Sequence, residues 1–177
     1  MNRKVILISI DGMRPDGLLQ CGNPFVQELM KMGAYTLEGS SMNPSVTLPC
    51  HMSIFHSVTP DRHGMTTNTY VPMVRPVSGL FEQLRFGGKK SAMYYGWEPL
   101  RDVARPESLR HAEYIWAYSR DNTDGYLTNS ALQGCFLQME RHSLQDVRAF
   151  SQIPPEALSP PHLYILQCRT LMSFLQT

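Results

Sequence analysis

The chain has 177 residues, 42% of them hydrophobic and 18% charged, a composition that excludes disordered, collagen-like and low-complexity classes and leaves one domain or most of one. Sixteen Lys plus Arg against fifteen Asp plus Glu give a formal charge of +1, so nothing points to a nucleic-acid polymer or an anionic membrane as partner. The longest apolar run near the N-terminus, Val5 to Ile8, is far below the roughly 20 residues of a membrane segment, and without a signal-peptide core the expected location is the cytoplasm.

Residues 4 to 10 are β-branched and almost continuously apolar, which predicts a strand covered on both faces in a parallel sheet and ended by Asp11-Gly12. Asn23 and Pro24 supply a helix cap and first helical position; Phe25, Val26, Leu29, Met30 and Met32 keep a helical period up to Gly33. Ala34 to Met42 reads as a second strand. After the loop Asn43 to Leu48, Pro49 to Val58 reads as a short helix closed by Thr59-Pro60-Asp61. Ser78 is placed to cap a helix through Val77, Leu80, Phe81 and Leu84, stopped by Gly87-Gly88 and followed by a strand from Ser91 to Tyr95. Tyr114 to Tyr118 reads as a weaker strand, and Leu127, Ala131, Leu132, Cys135, Phe136 and Met139 trace a helix face from Thr123 onward. Strands alternating with helices predict an α/β fold with a mostly parallel sheet. Residues 1–150 form this unit. Residues 151–177, with Pro154-Pro155 and Pro160-Pro161, are a Pro-rich linker and a short apolar tail able to add one strand.

Four cysteines without a C-x-x-C spacing read as reduced thiols. Asp11 ends the first strand, where open α/β sheets bind ligands, although an Asp-Gly pair is also an ordinary turn. Thr47 stands just before a helix, near backbone N–H groups suited to a phosphate; as a nucleophile its alcohol needs a base or a Lewis-acidic ion. His51, His56 and His63 do not have the spacing of a helical ligand pair, because His51 and His56 are five residues apart rather than four. His63-Gly64 reads as a structural turn. Cys50 and His51 diverge as helix neighbours and make a poor catalytic pair.

Taken together, Val5-Ile6-Leu7-Ile8-Ser9-Ile10-Asp11-Gly12-Met13-Arg14-Pro15-Asp16, Pro44-Ser45-Val46-Thr47-Leu48-Pro49-Cys50-His51 and Thr59-Pro60-Asp61-Arg62-His63-Gly64-Met65 resemble the type I phosphodiesterase/nucleotide pyrophosphatase family of the alkaline phosphatase superfamily, over residues 1 to about 134. The resemblance implies an alkaline-phosphatase-like sheet sandwiched by helices and incomplete on its C-terminal side. It further implies two zinc ions, with Asp11 as a ligand and Thr47 as both ligand and phosphorylated nucleophile. Asn68 matches the family asparagine that donates to a phosphate oxygen. The expected substrate is a small phosphate ester, cleaved at a phosphodiester or pyrophosphate bond through a phospho-threonine intermediate.

Two departures qualify this expectation. Where nucleotide-hydrolysing members carry a base-stacking phenylalanine after the threonine, this chain has Leu48, which can pack but not stack. The family's Asp-x-x-x-His pair, Asp-His dipeptide and late histidine have no counterparts. His162-Leu163-Tyr164-Ile165-Leu166 resembles the strand before the first of them but continues Gln167-Cys168-Arg169. A truncated or frameshifted relative is expected, which supplies only part of the metal ligands and self-associates through an uncovered sheet edge. The rival readings are a non-catalytic remnant that binds phosphate or a protein partner, and a phosphonate-cleaving relative.

Overall fold

The computed structural model describes residues 5–119, 122–137 and 163–168. Its elements follow in chain order: β1 (Val5–Ile10), α1 (Pro15–Gln20), α2 (Pro24–Met32), α3 (Thr47–His56), α4 (Pro60–His63) and α5 (Leu80–Phe86) come first. Then come β2 (Ser91–Tyr95), a 3-10 helix (Glu98–Val103), β3 (His111–Tyr114), α6 (Thr123–Leu137) and β4 (Leu163–Cys168). The four strands form one sheet in the order β1-β4-β2-β3, and every pairing is parallel. The predicted class, α/β with a parallel sheet, is the observed one.

β2 shows why a continuous apolar run belongs at the centre of such a sheet. All five of its residues are buried. Met93 and Tyr95 point into a core with Leu48, Met52 and Phe55 of α3, Phe81 of α5, Met65, and Leu100 and Val103 of the 3-10 helix. On the opposite face Ala92 and Tyr94 pack against Leu127 and Ala131 of α6, with Ile115 alongside. Phe55 and Phe81 stack at 5.3 Å between ring centroids. Burial of a large apolar side chain contributes roughly 1.5 to 3 kcal/mol, so the core that links α3, α5 and β2 dominates the stability of this region.

β1 departs from the expectation of a strand covered on both faces. Val5, Ile6 and Ile8 are 57%, 52% and 56% exposed, and among the described residues β1 is an edge strand, paired with β4. Helix α2 has the cap read from its sequence, with Asn23 Oδ1 accepting from Phe25 N–H at 3.0 Å. Its apolar positions Phe25, Leu29 and Met32 are also exposed.

Other elements differ from the sequence reading in detail. The strand expected over Ala34 to Met42 does not form; the segment is irregular, and with Thr36 as its one β-branched residue and Gly39, Ser40 and Ser41 in its second half it has little strand preference of its own. α1 was not foreseen, and Pro15 opens it at N1. β3 starts at His111 rather than Tyr114 and runs beside β2 in register with Ala92. The α5 cap is Gly79, not Ser78. A Cβ at residue 79 would lie 2.9 Å from His56 Nε2 and 3.0 Å from the Phe55 carbonyl, so α3 and α5 approach too closely there for any side chain. The apolar tail segment Leu163–Cys168 adds a strand between β1 and β2. Of the helix face expected at Leu132, Phe136 and Met139, Leu132 is exposed, while Met139 and the Phe136 side chain lie outside the described residues.

Candidate active site

β1 carries Ser9 near its end and delivers Asp11 to the first turn beyond it. α3 begins at Thr47, with Val46 as an extended N-cap whose side chain makes no capping bond. The two meet: Thr47 Oγ1 donates to Asp11 Oδ2 at 3.0 Å, although 36 positions separate them in the chain. Asn68, in the loop after α4, joins them from the other side, where its Oδ1 accepts the Leu48 backbone N–H at 3.0 Å. The three residues read from the sequence therefore share one place at the carboxyl end of the outer strand.

The first turn of α3 offers fewer amide donors than its position suggested. Leu48 N–H is taken by Asn68, Pro49 has none, and Cys50 N–H bonds Val46 O at 3.0 Å. Asn68 is exposed, and with its oxygen engaged its amide nitrogen still carries two N–H donors. Leu48 itself is fully buried among Met52, Phe55 and Met93, so position 48 holds the core together and offers no surface to a base.

The histidines have separate tasks. His51 Nδ1 lies 2.7 Å from the Thr47 carbonyl and its Nε2 3.1 Å from Ser9 Oγ. His63 is fully buried; its Nδ1 accepts Met65 N–H at 3.1 Å, so Nε2 carries the proton and donates to Ser53 Oγ at 3.0 Å. Gly64 caps this turn at φ 79° in the left-handed region, where a residue without Cβ is favoured. This is the structural turn read from His63-Gly64. His56 Nδ1 donates to Met52 O at 3.1 Å. Burial is the main reason that both His56 and His63 titrate below the usual imidazole range; the nearby Glu82 and Asp61 carboxylates pull the other way. Cys50 Sγ faces the Met42 and Pro44 carbonyls at 3.9 and 3.8 Å.

Sequence reasoning missed two supports of the site. Ser9 was passed over because a serine inside an apolar strand carries no motif signal, yet it bonds His51. Glu82 was passed over as one charge on a helix, but it is 5% exposed, and its carboxylate accepts Gly79 N–H at 2.6 Å and Arg105 N–H at 3.0 Å. Glu three residues after the cap is the signal that could have found it.

Asp11 and Thr47 supply two oxygen donors 3.0 Å apart in a half-buried corner, a donor set that suits a divalent cation but fills only part of a three- or four-ligand shell. Among the described residues no group of three or more His, Cys, Asp or Glu side chains gathers to complete it. No helix among the described residues is long and apolar enough to cross a membrane.

The family model for type I phosphodiesterase / nucleotide pyrophosphatase matches residues 5–163, so the likeness does not end near residue 134, as the motifs alone suggested, but runs on to residue 163. The chain is 28% identical over 165 residues to ectonucleotide pyrophosphatase/phosphodiesterase family member 1 of Rattus norvegicus, covering 91% of this chain and 17% of that protein. The Mus musculus protein of the same name is 29% identical over 124 residues, 69% of this chain and 13% of its own length. An uncharacterized pyrophosphatase/phosphodiesterase of Schizosaccharomyces pombe is 27% identical over 124 residues, 69% of this chain and 25% of its own length. The chain thus spans a quarter or less of each of these relatives.

Proposed function

Because the chain belongs to the type I phosphodiesterase / nucleotide pyrophosphatase family, we propose that it carries the nucleophile half of a metal-dependent phosphodiester or pyrophosphate hydrolase site. The observation that supports this reading best is the 3.0 Å approach of Thr47 Oγ1 to Asp11 Oδ2. Thr47 is the nucleophile. Its oxygen gives up its proton and forms a bond to phosphorus while the ester oxygen opposite leaves with the bonding pair and takes up a proton from solvent, giving a phospho-threonine that still carries the substrate's second substituent; water then cleaves the threonine–phosphorus ester and restores the hydroxyl. Asp11 orients the hydroxyl by accepting its hydrogen bond. Asn68 offers Nδ2 to a non-bridging phosphate oxygen while its Oδ1 stays on Leu48 N–H.

Asp11 and Thr47 would hold a divalent cation, zinc by family resemblance, which when bound favours the alkoxide and offsets phosphate charge. The other ligands, and the second zinc ion of the complete family site, would come from outside the described residues. With Leu48 buried, the substrate class is a small phosphate ester that is not recognised by base stacking at this position.

The test is mass spectrometry of the zinc-treated chain after incubation with an aryl phosphodiester. A phosphoryl adduct on Thr47 that is absent in Thr47→Ala is expected. An unmodified wild-type chain that still binds inorganic phosphate would instead favour a non-catalytic phosphate-binding remnant, and turnover restricted to phosphonates would favour the phosphonate-cleaving alternative.

A self-association surface is proposed from the outer strand, where Ile6 and Ile8 share one face and are exposed. Sedimentation of a monodisperse monomer at high concentration would overturn it.

A further inference from the structure

A strand and a helix lying side by side can be tied at two points only when their side-chain spacings match. Two residues along a strand advance roughly 6.6 Å, and four along a helix advance about 6 Å. The end of β1 with the turn it enters, and the first turns of α3, are tied at two such points. Ser9 and Asp11 are two positions apart, and Thr47 and His51 are four apart on one helix face. Asp11 Oδ2 takes the Thr47 hydroxyl at 3.0 Å, and Ser9 Oγ meets His51 Nε2 at 3.1 Å.

His51 also reaches back to the residue it supports. A carbonyl only accepts, so the 2.7 Å contact with Thr47 O puts a proton on His51 Nδ1 and, in the neutral ring, leaves Nε2 to accept from the Ser9 hydroxyl. The same peptide unit is held at its other end, where Leu48 N–H donates to Asn68. A peptide is planar, so fixing its carbonyl and its amide fixes the plane between Thr47 and Leu48. The Asp11 bond then sets the remaining freedom, the Thr47 side-chain rotamer. The His51 ring is 5% exposed and stacks with Phe55 at 6.4 Å, so it cannot swing away without opening the core.

We propose that His51 is a positioning residue for Thr47: it couples the threonine's backbone to β1 through Ser9, while Asp11, in the turn that follows β1, holds the hydroxyl of the nucleophile. The inference rests on the reading of Thr47 as nucleophile for its functional meaning, but the geometry it asserts is measurable without turnover.

The experiment is NMR of the isotope-labelled full chain, with the Thr47 χ1 populations taken from three-bond couplings and the His51 tautomer from ring nitrogen shifts. One dominant Thr47 rotamer and a proton on Nδ1 are expected in the wild type. His51→Asn, whose amide nitrogen can replace Nδ1 but not Nε2, should resemble Ser9→Ala, with the wild-type rotamer still favoured. His51→Phe, which keeps the ring and its stacking but not the bonds, should give a near-even rotamer mixture, and Ser9→Ala an intermediate one. A single Thr47 rotamer in His51→Phe would overturn the proposal and reduce His51 to packing. Should that variant not fold, an unchanged rotamer in Ser9→Ala overturns it equally. Failure of the nucleophile reading would look different, as an ordered Thr47 that acquires no phosphoryl group in the wild type.

Discussion

Removing the Glu82 carboxylate tests whether a single buried acid holds the scaffold of the site together. Glu82 stands at the third position of α5, and its two oxygens accept Gly79 N–H at 2.6 Å and Arg105 N–H at 3.0 Å. These bonds join the start of α5 to the chain just after the 3-10 helix, and both elements press on α3 through Phe81, Leu100 and Val103. A buried donor left without its acceptor costs about 1 to 3 kcal/mol. Glu82→Ala strands both donors. The Gly79 bond is buried, whereas Arg105 is exposed enough for water to replace part of the loss, so the expected sum is ~3 kcal/mol, a large share of a net stability of ~5 to 15 kcal/mol. Glu82→Gln keeps one acceptor oxygen and turns an NH2 group towards the other donor, so about half that loss is expected. Urea unfolding at neutral pH with an unchanged slope would read both values from the midpoints. Equal loss in the two variants, or an alanine variant within about 0.5 kcal/mol of wild type, would refute the two-donor argument.

Gly79→Ala keeps an accessible backbone but forces a methyl to within 2.9 Å of His56 Nε2 and 3.0 Å of Phe55 O; overpacking of about 1 to 3 kcal/mol should outweigh the ~0.4 to 1 kcal/mol that alanine gains through the unfolded state, and a raised melting temperature would contradict this. Burial lowers the His56 and His63 pKa below the ordinary 6.5, so as pH falls through 6.5 the unfolded chain takes up protons that the folded chain refuses. Stability should therefore decline between about pH 7.5 and 5.5, and a flat or rising melting temperature over that range would show that these rings are not held neutral. Asn68→Ala should cost ~1 kcal/mol by orphaning Leu48 N–H, whereas Asn68→Asp, which keeps the acceptor, should unfold near the wild-type midpoint; equal midpoints for the two would remove Asn68 from the hydrogen bond seen here.

What the sequence determined by itself was local or carried by motif order. The cap and stop of α2 follow from Asn23-Pro24 and Gly33, because capping is settled within a few residues. β2 was legible as the run Ser91 to Tyr95 that follows the Gly87-Gly88 stop of the preceding helix. The meeting of Asp11, Thr47 and Asn68 was legible only as a matched order of motifs, since no local rule joins residues 36 and 21 positions apart. Tertiary structure decided the rest. β1 has the same apolar character as β2 yet is exposed, because exposure depends on its place in the strand order and not on its composition. The apolar piece near the C-terminus entered the sheet between β1 and β2, a choice that depends on which strands offer a free edge. Ser9 and His51, 42 positions apart in the chain, gained a shared task because folding brings the end of β1 to the first turns of α3, a meeting that exists only once the chain has folded.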